Sequence, residues 1–578
     1  MTDRLERFVA GAVIAISLWM ATSWLLAMTL ALTRRNLLIA LAVLIVASLP
    51  LVRRPVVVPI TRWTVIAAIL IAGWTAFILW RGSVVPPLSY DAMTYHFPKA
   101  ALLVQHEGYT HLDSHDLRLR SFPANYELLV ADLFLLTGSD RFADWIGTVF
   151  YLLFLAATAV VGRRWWGPGL HVVACVLGAG GAPLILLHSG ADKNDLMTAF
   201  FAVMAIYWSA RWCAEGGATP AALAILCGVL AIGTKLSAAT IFFGVAPFGL
   251  VALIRRPPRP RWLLASIAFS AIALLLLGGW VFVMNATAPP MPGAKSGAAA
   301  AVPTAQYSEW QNLWQLPTEI VQASLGLRTA RPWPKHDLFV SHFGVLFGIA
   351  LLALPFCIWR YRSTGERTIA SVAAVIAFLM LLPIHQVGFE QYAAILRYSM
   401  FVLPFVLAWT VAPVVRELLE RRPIWAHGIA TLLALTFLVQ AIDIAANDTF
   451  APIEYVRWAA ANPGTREGPH VRNRAAFIAD QLAGPHDTIA VFGGVDVWIY
   501  PAYGRQFTRR VIRLASDATV AEVPDDAQWL LIDDPPPYRK RPSEGQLRFF
   551  REAERDPRWV LRLRHRGFNQ AVFQRVAK

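Results

Sequence analysis

Charged residues are scarce in this chain of 578 residues. They make up 15% of the sequence, whereas about a quarter is usual in soluble globular proteins. Hydrophobic residues reach 57%. This composition excludes an ordinary soluble protein and predicts one that spans a membrane several times.

Cysteine is also rare. The four cysteines, Cys175, Cys213, Cys227 and Cys357, lie within or at the edges of apolar segments. Their spacing matches neither a disulfide framework nor a zinc site. No cross-link of either kind is predicted.

The formal net charge of +15 raises the question of a nucleic-acid partner. Most basic residues, however, stand as arginine pairs at the ends of hydrophobic runs, such as Arg163-Arg164 and Arg255-Arg256. That distribution is typical of the cytoplasmic loops of membrane proteins. We therefore predict contact with the lipid bilayer and no nucleic-acid partner.

Hydrophobic runs of about 20 residues are long enough to cross a bilayer as helices. The sequence predicts an α-helical polytopic membrane protein with about thirteen such helices. The pair 220–233 and 238–254 is interrupted by Gly233-Thr234-Lys235 and fits either a re-entrant pair or two spans. The predicted runs are 9–32, 36–52, 62–80, 141–162, 169–187, 196–212, 220–233, 238–254, 262–284, 343–360, 368–384, 399–415 and 425–443.

The arginines also predict the orientation. A cytoplasmic N terminus makes nearly every cytoplasmic loop basic, with Arg34-Arg35 as the pair on the opposite side. The first helix has no small-residue cleavage site after a short apolar core and reads as a retained helix. Two long loops, 81–140 and 286–342, then face the extracytoplasmic side, together with everything after residue 443.

The C-terminal part has a different pattern. Long apolar runs cease at about 444, and short β-type patterns follow at 488–500, 529–534 and 559–568, separated by helix-like and proline-rich stretches. We predict a transmembrane domain over 1–443 and a small extracytoplasmic α/β domain over 444–578.

The first long loop begins with the motif SYDAMTYHFPKA, residues 89–100, which contains Asp91, Tyr95 and His96. The run from Ala92 to Val104 is amphipathic, as an interfacial helix requires. Asp91 therefore has two interpretations. It either caps this helix or acts as a reactive carboxylate at the bilayer edge.

Two other loop segments offer candidate ligands. His111, Asp113, His115 and Asp116 are suitable metal donors, but their spacing matches no strong metal signature and favours a solvated loop. The aromatic stretch 307–314 in the second long loop fits either sugar stacking or the membrane interface, where Trp and Tyr are enriched.

Charged residues at the ends of apolar runs form a further candidate group. Asp192, Lys193 and Asp195 stand in the motif ADKND, where they either neutralise one another or serve a function. Lys235 and Arg397 lie at the outer ends of runs, away from the basic side. Each is suited to hold a phosphate, or else extends to the interface as long basic side chains do.

In this order, the motifs resemble those of the GT-C superfamily of membrane glycosyltransferases, in particular the bacterial protein O-mannosyltransferase and lipid A aminoarabinose transferase group. The resemblance covers most of residues 60–415 and rests on YDAMTYHFPKA, ADKND, GTKLSA and RYSMFVLP, followed by a terminal soluble domain. It implies an enzyme of a bacterial cytoplasmic membrane whose active site faces the periplasm or exterior.

The resemblance also implies residue roles. Asp91 is the expected general base, Lys235 and Arg397 contact a phosphate, and Lys193 and Asp195 line the cavity. Beside Asp91 in the first-loop motif, Tyr95 and His96 are candidate substrate contacts. The implied donor is a polyprenyl-phosphate sugar, the acceptor is an envelope glycan, lipid or protein, and the anomeric carbon is inverted. Family members often have an acidic pair where Asp91 is followed by Ala92, which leaves a divalent metal requirement open.

Two alternatives belong to other classes. A transporter or flippase of lipid-linked saccharides would share the apolar bulk and the cations. Transporters usually place binding groups near the membrane midplane and show repeated halves; here the unusual polar residues lie on one face and no repeat is visible, which favours an enzyme. A structural or assembly protein is the third interpretation, and it predicts that replacing Asp91 leaves function unchanged.

Overall fold

Long apolar segments fold into helices here because a helix satisfies its backbone hydrogen bonds within one segment, as hydrocarbon surroundings require. The structure is a computed structural model. It describes residues 4–48, 61–112, 114, 116–256, 259–287, 343–361, 365–381, 397–448, 451–463, 475–493, 497–515, 517–533, 544–565 and 570–576. Most of the predicted second long loop, including 307–314, lies outside the described residues.

The described helices occupy both predicted domains. They are α1 Arg4–Met28, α2 Arg34–Ser48, α3 Arg62–Val84, α4 Phe97–Gln105, α5 Leu117–Ser121, α6 Asn125–Thr137, α7 Asp144–Trp166, α8 Leu170–Gly180, α9 Pro183–Ser189, α10 Asp195–Glu215, α11 Ala218–Thr234, α12 Thr240–Arg255, α13 Pro260–Leu274, α14 Trp280–Thr287, α15 Val345–Arg360, α16 Glu366–Leu379, α17 Leu403–Arg421, α18 Pro423–Asn447, α19 Ile453–Ala461, α20 Ala475–Leu482 and α21 Glu544–Arg555.

The helices confirm a polytopic membrane protein. Within the described ranges, eight helical segments are long and apolar enough to cross a bilayer, or up to nine if α8 and α9, bent by 68°, form one broken span. Several predicted runs extend beyond the described residues, so the total of about thirteen stays a prediction. After Lys235, the segment Leu236–Arg255 is long enough to span the membrane by itself.

The helix bundle has two chemically different ends. α7 begins at Asp144, beside Arg81 of α3, and ends with Arg163 and Arg164 in its last turn. At 1.5 Å per residue these ends lie about 30 Å apart. α12, α15 and α17 also end in arginine. The basic helix ends are thus separated from the loops that carry Asp91 and Lys193.

A tight crossing fixes the end of α11. The π-helical turn Leu275–Gly279 between α13 and α14 leaves the helical range at Leu277 and Gly278, where φ is +119° at Gly278. A Cβ at Gly278 would lie 2.6 Å from the Cα of Gly233, so glycine is needed there. Asn125 Nδ2 donates to the carbonyl of Leu277 at 2.9 Å and binds the freed acceptor.

The C-terminal domain contains a five-stranded sheet, which confirms the predicted α/β class. The strands are β1 Thr488–Phe492, β2 Arg510–Arg513, β3 Trp529–Ile532, β4 Trp559–His565 and β5 Gln570–Arg575. Their order is β2-β1-β3-β5-β4. β1 is parallel to β2 and β3, whereas β5 is antiparallel to β3 and β4. The predicted boundary at 443 falls in the last turns of α18.

Candidate active site

Asp91 follows the end of α3 by seven residues and immediately precedes a π-helical turn, Ala92–His96. It occupies the N-cap position of that turn, but its side chain makes no capping hydrogen bond. Instead its Oδ2 atom lies 2.8 Å from Lys193 Nζ and 3.0 Å from Arg397 Nη1. The carboxylate therefore binds two cations rather than its own helix.

This three-residue cluster is largely shielded from solvent. The side chains of Asp91, Lys193 and Arg397 are 13%, 2% and 10% exposed. Burial alone would raise the pKa of Asp91, but Lys193 and then Arg397 outweigh it and hold the pKa well below its usual range. Asp91 is accordingly ionised at neutral pH and has little affinity for a proton in this arrangement.

A second carboxylate lies in the same region. Asp195, the first residue of α10, has its Oδ1 atom 2.5 Å from Lys235 Nζ. His188 Nδ1 lies 3.3 Å from the other carboxylate oxygen. Lys235 also donates to Asn194 Oδ1 at 3.3 Å, and its extended backbone ends α11. The broken GTKLSA segment thus presents its lysine to the ADKND loop.

Tyr398 links the two ion-pair groups. Its hydroxyl accepts a hydrogen bond from Arg397 Nη2 at 2.9 Å, and Lys235 Nζ lies 4.0 Å from the centre of its ring. Burial alone would raise the pKa of Tyr398, but Arg397 and Lys235 outweigh it and lower the pKa. Sequence reasoning missed Tyr398, although it directly follows Arg397 in the RYSMFVLP motif.

The site has an excess of positive charge. Lys193, Lys235 and Arg397 are three cations against the two carboxylates of Asp91 and Asp195, which leaves a formal net charge of +1. Each cation lies on a different loop, so the site depends on tertiary packing. An anionic group entering the site would find cations held in a low-dielectric environment, where their attraction is strong.

Tyr95 and His96 contact Arg118 and Glu127, respectively. The Tyr95 ring lies 4.8 Å from the Arg118 guanidinium, and burial together with Asp91 raises the pKa of Tyr95 well above its usual value. His96 Nδ1 lies 2.7 Å from Glu127 Oε1, with both side chains 1% exposed. Contact of Tyr95 and His96 with substrate stays a prediction.

Arg81 holds the ADKND loop in place. Its guanidinium donates to the carbonyl of Gly190 and pairs with Asp448 at 2.8 Å and Asp144 at 3.6 Å. A Cβ at Gly190 would collide with the Arg81 guanidinium, so glycine allows the close approach. The end of α3 is thereby tied to the loop that carries Lys193.

A metal site is not apparent among the described residues. That part of the chain contains no group of three or more His, Cys, Asp or Glu side chains arranged to hold a metal ion. Of the predicted loop ligands, Asp116 pairs with Arg118 at 3.0 Å and with Arg513 at 2.9 Å. Asp113 and His115 lie outside the described residues.

Comparison with solved structures identifies the fold. The chain is similar to ArnT from Cupriavidus metallidurans bound to undecaprenyl phosphate, with a TM-score of 0.52, 13% sequence identity, and coverage of 88% of this chain and 98% of ArnT. The apo form of ArnT aligns with a TM-score of 0.51 at 13% identity, covering 89% and 99% of the two chains. No family model and no curated protein sequence matches. The chain therefore has the predicted GT-C fold.

Proposed function

We propose that this protein is a membrane glycosyltransferase that moves a sugar from a polyprenyl-phosphate donor to an acceptor of the cell envelope. The observation that carries the proposal is the placement of Asp91 between Lys193 and Arg397, with Lys235 and Asp195 beside them. The GT-C fold supports it. The structural neighbour bound to undecaprenyl phosphate supports a lipid phosphate as part of the donor.

The cations match the leaving group. When the bond between the anomeric carbon and the phosphate oxygen breaks, the departing polyprenyl phosphate gains a second negative charge. Ion pairs with Asp91 and Asp195 hold Lys193, Lys235 and Arg397 close together before the donor binds. Cations already gathered at the site stabilise charge as it develops. Arg397 is suited to bind two phosphate oxygens at once through its planar guanidinium.

Asp91 supplies the base in this scheme. The acceptor hydroxyl attacks the anomeric carbon, its proton passes to a carboxylate oxygen of Asp91, and the polyprenyl phosphate leaves from the opposite face with inversion. While Lys193 and Arg397 both bind Asp91, its low pKa makes it a weak base. A donor phosphate that draws these cations towards itself raises the basicity of Asp91. Donor binding thus prepares the base.

The proposed orientation is supported by the two ends of the bundle. Asp91 and Lys193 lie opposite the helix ends that carry Arg163, Arg255 and Arg421. By the positive-inside rule, the basic ends face the cytoplasm. The active site and the C-terminal domain accordingly face the periplasm or exterior of a bacterial cytoplasmic membrane. The acceptor is an envelope glycan, lipid or protein.

The test is release of polyprenyl phosphate by the purified full-length protein in lipid nanodiscs. Undecaprenyl-phosphate sugars serve as donors, and an envelope extract supplies the acceptor. Wild-type protein is expected to release undecaprenyl phosphate only when both are present, and Asp91→Asn is expected to slow release by at least about 100-fold. Arg510→Gln, which alters an exposed ion pair with Asp526, is the control. Full release by Asp91→Asn would overturn the assignment of the base.

A flippase would behave differently in a matched assay. Proteoliposomes loaded with the same lipid-linked sugars would show sugar crossing the membrane without release of undecaprenyl phosphate. Mass spectrometry of envelope glycans from cells with and without the gene would then identify the sugar and the acceptor together.

A further inference from the structure

We propose that the segment 497–509 of the C-terminal domain sets the position of Asp91, so that Ile499, Tyr500 and Phe507 are positioning residues for the transfer reaction. This role rests on the proposed function and extends it to the C-terminal domain, which lies outside the group formed by Asp91, Lys193, Lys235 and Arg397.

The turn Ala92–His96 leaves one carbonyl without a helical partner. In a π-helix each carbonyl accepts from the amide five residues later. The residue five places after Met93 is Pro98, which has no amide hydrogen. The amide of Phe97, four places later, already donates to the carbonyl of Ala92. A buried carbonyl left in this way requires a partner from elsewhere.

The C-terminal domain supplies that partner. The backbone amide of Ile499 donates to the carbonyl of Met93 at 3.2 Å. Both residues are about 1% exposed. The motif that carries Asp91 is therefore completed by a residue about 400 positions later in the chain. This bond joins the turn directly to the C-terminal domain.

Aromatic packing holds the same contact. The Tyr500 ring meets Phe97, the first residue of α4, edge to face with ring centres 5.1 Å apart. Phe507 stacks on Phe134 of α6 with ring centres 4.8 Å apart. The Tyr500 hydroxyl donates to Asp140 Oδ2 at 2.9 Å. The segment thus contacts α4 and α6, two helices within the first long loop.

Phe507 is held in a conformation that favours glycine. Its φ is +55°, which is strained for a bulky side chain and persists only where surrounding contacts hold it. Gln105, the last residue of α4, donates from Nε2 to the carbonyls of Phe507 and Arg509 at 2.6 and 2.7 Å. Contacts with α4 and α6 thus offset the strain at Phe507.

The consequence concerns the reaction rather than folding alone. The contacts between segment 497–509 and the first long loop form a brace for the turn Ala92–His96. Asp91 is the residue immediately before this turn, whereas Lys193, Lys235 and Arg397 lie on other loops. Loosening the brace should misplace the base relative to the acceptor while leaving the phosphate contacts in place. An error of about 1 Å in a reacting group can cost on the order of 100-fold in rate.

The test uses two conservative variants of the full chain in nanodiscs. Gln105→Leu removes both bonds to the 507–509 backbone, and Tyr500→Phe removes one oxygen atom while keeping the ring. Gln574→Leu is the matched control, because Gln574 lies in β5 of the same domain and accepts a bond from Arg562. The measurements are amide hydrogen exchange over 92–105, kcat for undecaprenyl phosphate release, and the Kd of undecaprenyl phosphate as a binding probe.

We expect both variants to speed exchange over 92–97 by about fivefold to tenfold, the effect of losing one or two hydrogen bonds. We also expect kcat to fall by roughly tenfold or more, with Kd changed less than about twofold. Faster exchange over 92–97 with unchanged kcat would overturn the positioning role. Unchanged exchange over 92–97 would overturn it as well. If the wild-type protein releases no undecaprenyl phosphate, the proposed function fails, while the exchange data still report on the brace.

Discussion

Lys193 Nζ lies 2.8 Å from Asp91 Oδ2, which joins the loop before α10 to the turn after α3. Two residues later in the chain, Asp195 pairs with Lys235 at 2.5 Å. The ADKND motif therefore contributes a cation to one ion pair and a carboxylate to the next. This alternation places a cation beside each carboxylate and brings the three cations into one site.

The first prediction concerns the base itself. Asp91→Asn keeps the size of the side chain but cannot accept the acceptor proton, so kcat for polyprenyl phosphate release should fall by about 10²- to 10⁴-fold. The Kd of undecaprenyl phosphate should stay the same or decrease, because the amide no longer competes for Lys193 and Arg397. A parallel loss of binding and turnover would instead indicate a structural role.

The second prediction concerns pH. The pKa of Asp91 is held well below its usual range in the free protein. The kcat/KM profile, which reports on the free enzyme, should therefore lose no activity through Asp91 as the pH falls across the ordinary carboxylate range. The kcat profile reports on the donor complex. In that complex the phosphate draws Lys193 and Arg397 away from Asp91 and raises its pKa, so the acidic limb of kcat should lie at higher pH than that of kcat/KM.

Lys193→Met provides the check on that profile. It removes the strongest charge interaction that lowers the pKa of Asp91 while burial remains, so the acidic limb of kcat/KM should move to higher pH. An unmoved limb would mean that another group controls it.

The third prediction concerns Arg397, which contacts both Asp91 and the Tyr398 hydroxyl. Arg397→Lys keeps the charge but loses the planar fork that reaches both Asp91 and the Tyr398 hydroxyl. We expect undecaprenyl phosphate to bind about tenfold more weakly, which corresponds to one charge-assisted hydrogen bond. Isothermal titration in nanodiscs measures this directly, with Arg510→Gln as the control. Equal affinity would exclude a forked, two-oxygen contact between Arg397 and the phosphate.

The membrane domain and the fold were predicted from the sequence. Apolar runs identified the membrane domain, and the motifs identified the GT-C fold, because both depend on local patterns. The bond between Lys193 and Asp91 was not readable, since the two residues are about 100 positions apart and nothing local specifies their contact. Tyr398 was missed because a tyrosine at a span end is common at the membrane interface.

The strands of the C-terminal sheet were likewise only partly predicted from the sequence. β1 and β3 are short apolar runs and were predicted, whereas β2, with the sequence RVIR, has only two apolar residues between arginines. Its register with β1 is set by pairing that no local pattern reveals. β5 was also missed, although it lies between β3 and β4 in the sheet.

The fourth prediction concerns Arg81 and the loop that carries Lys193. Arg81→Gln shortens a buried side chain that binds Asp448, Asp144 and the carbonyl of Gly190. Breaking a buried ion pair typically costs about 3–5 kcal/mol, so thermal unfolding in nanodiscs should occur at a clearly lower temperature. Turnover measured below that temperature should also fall, because Lys193 is no longer held against Asp91. Arg510→Gln, at an exposed pair, should change neither quantity. Lower stability with unchanged turnover would show that Arg81 supports the fold but does not position Lys193.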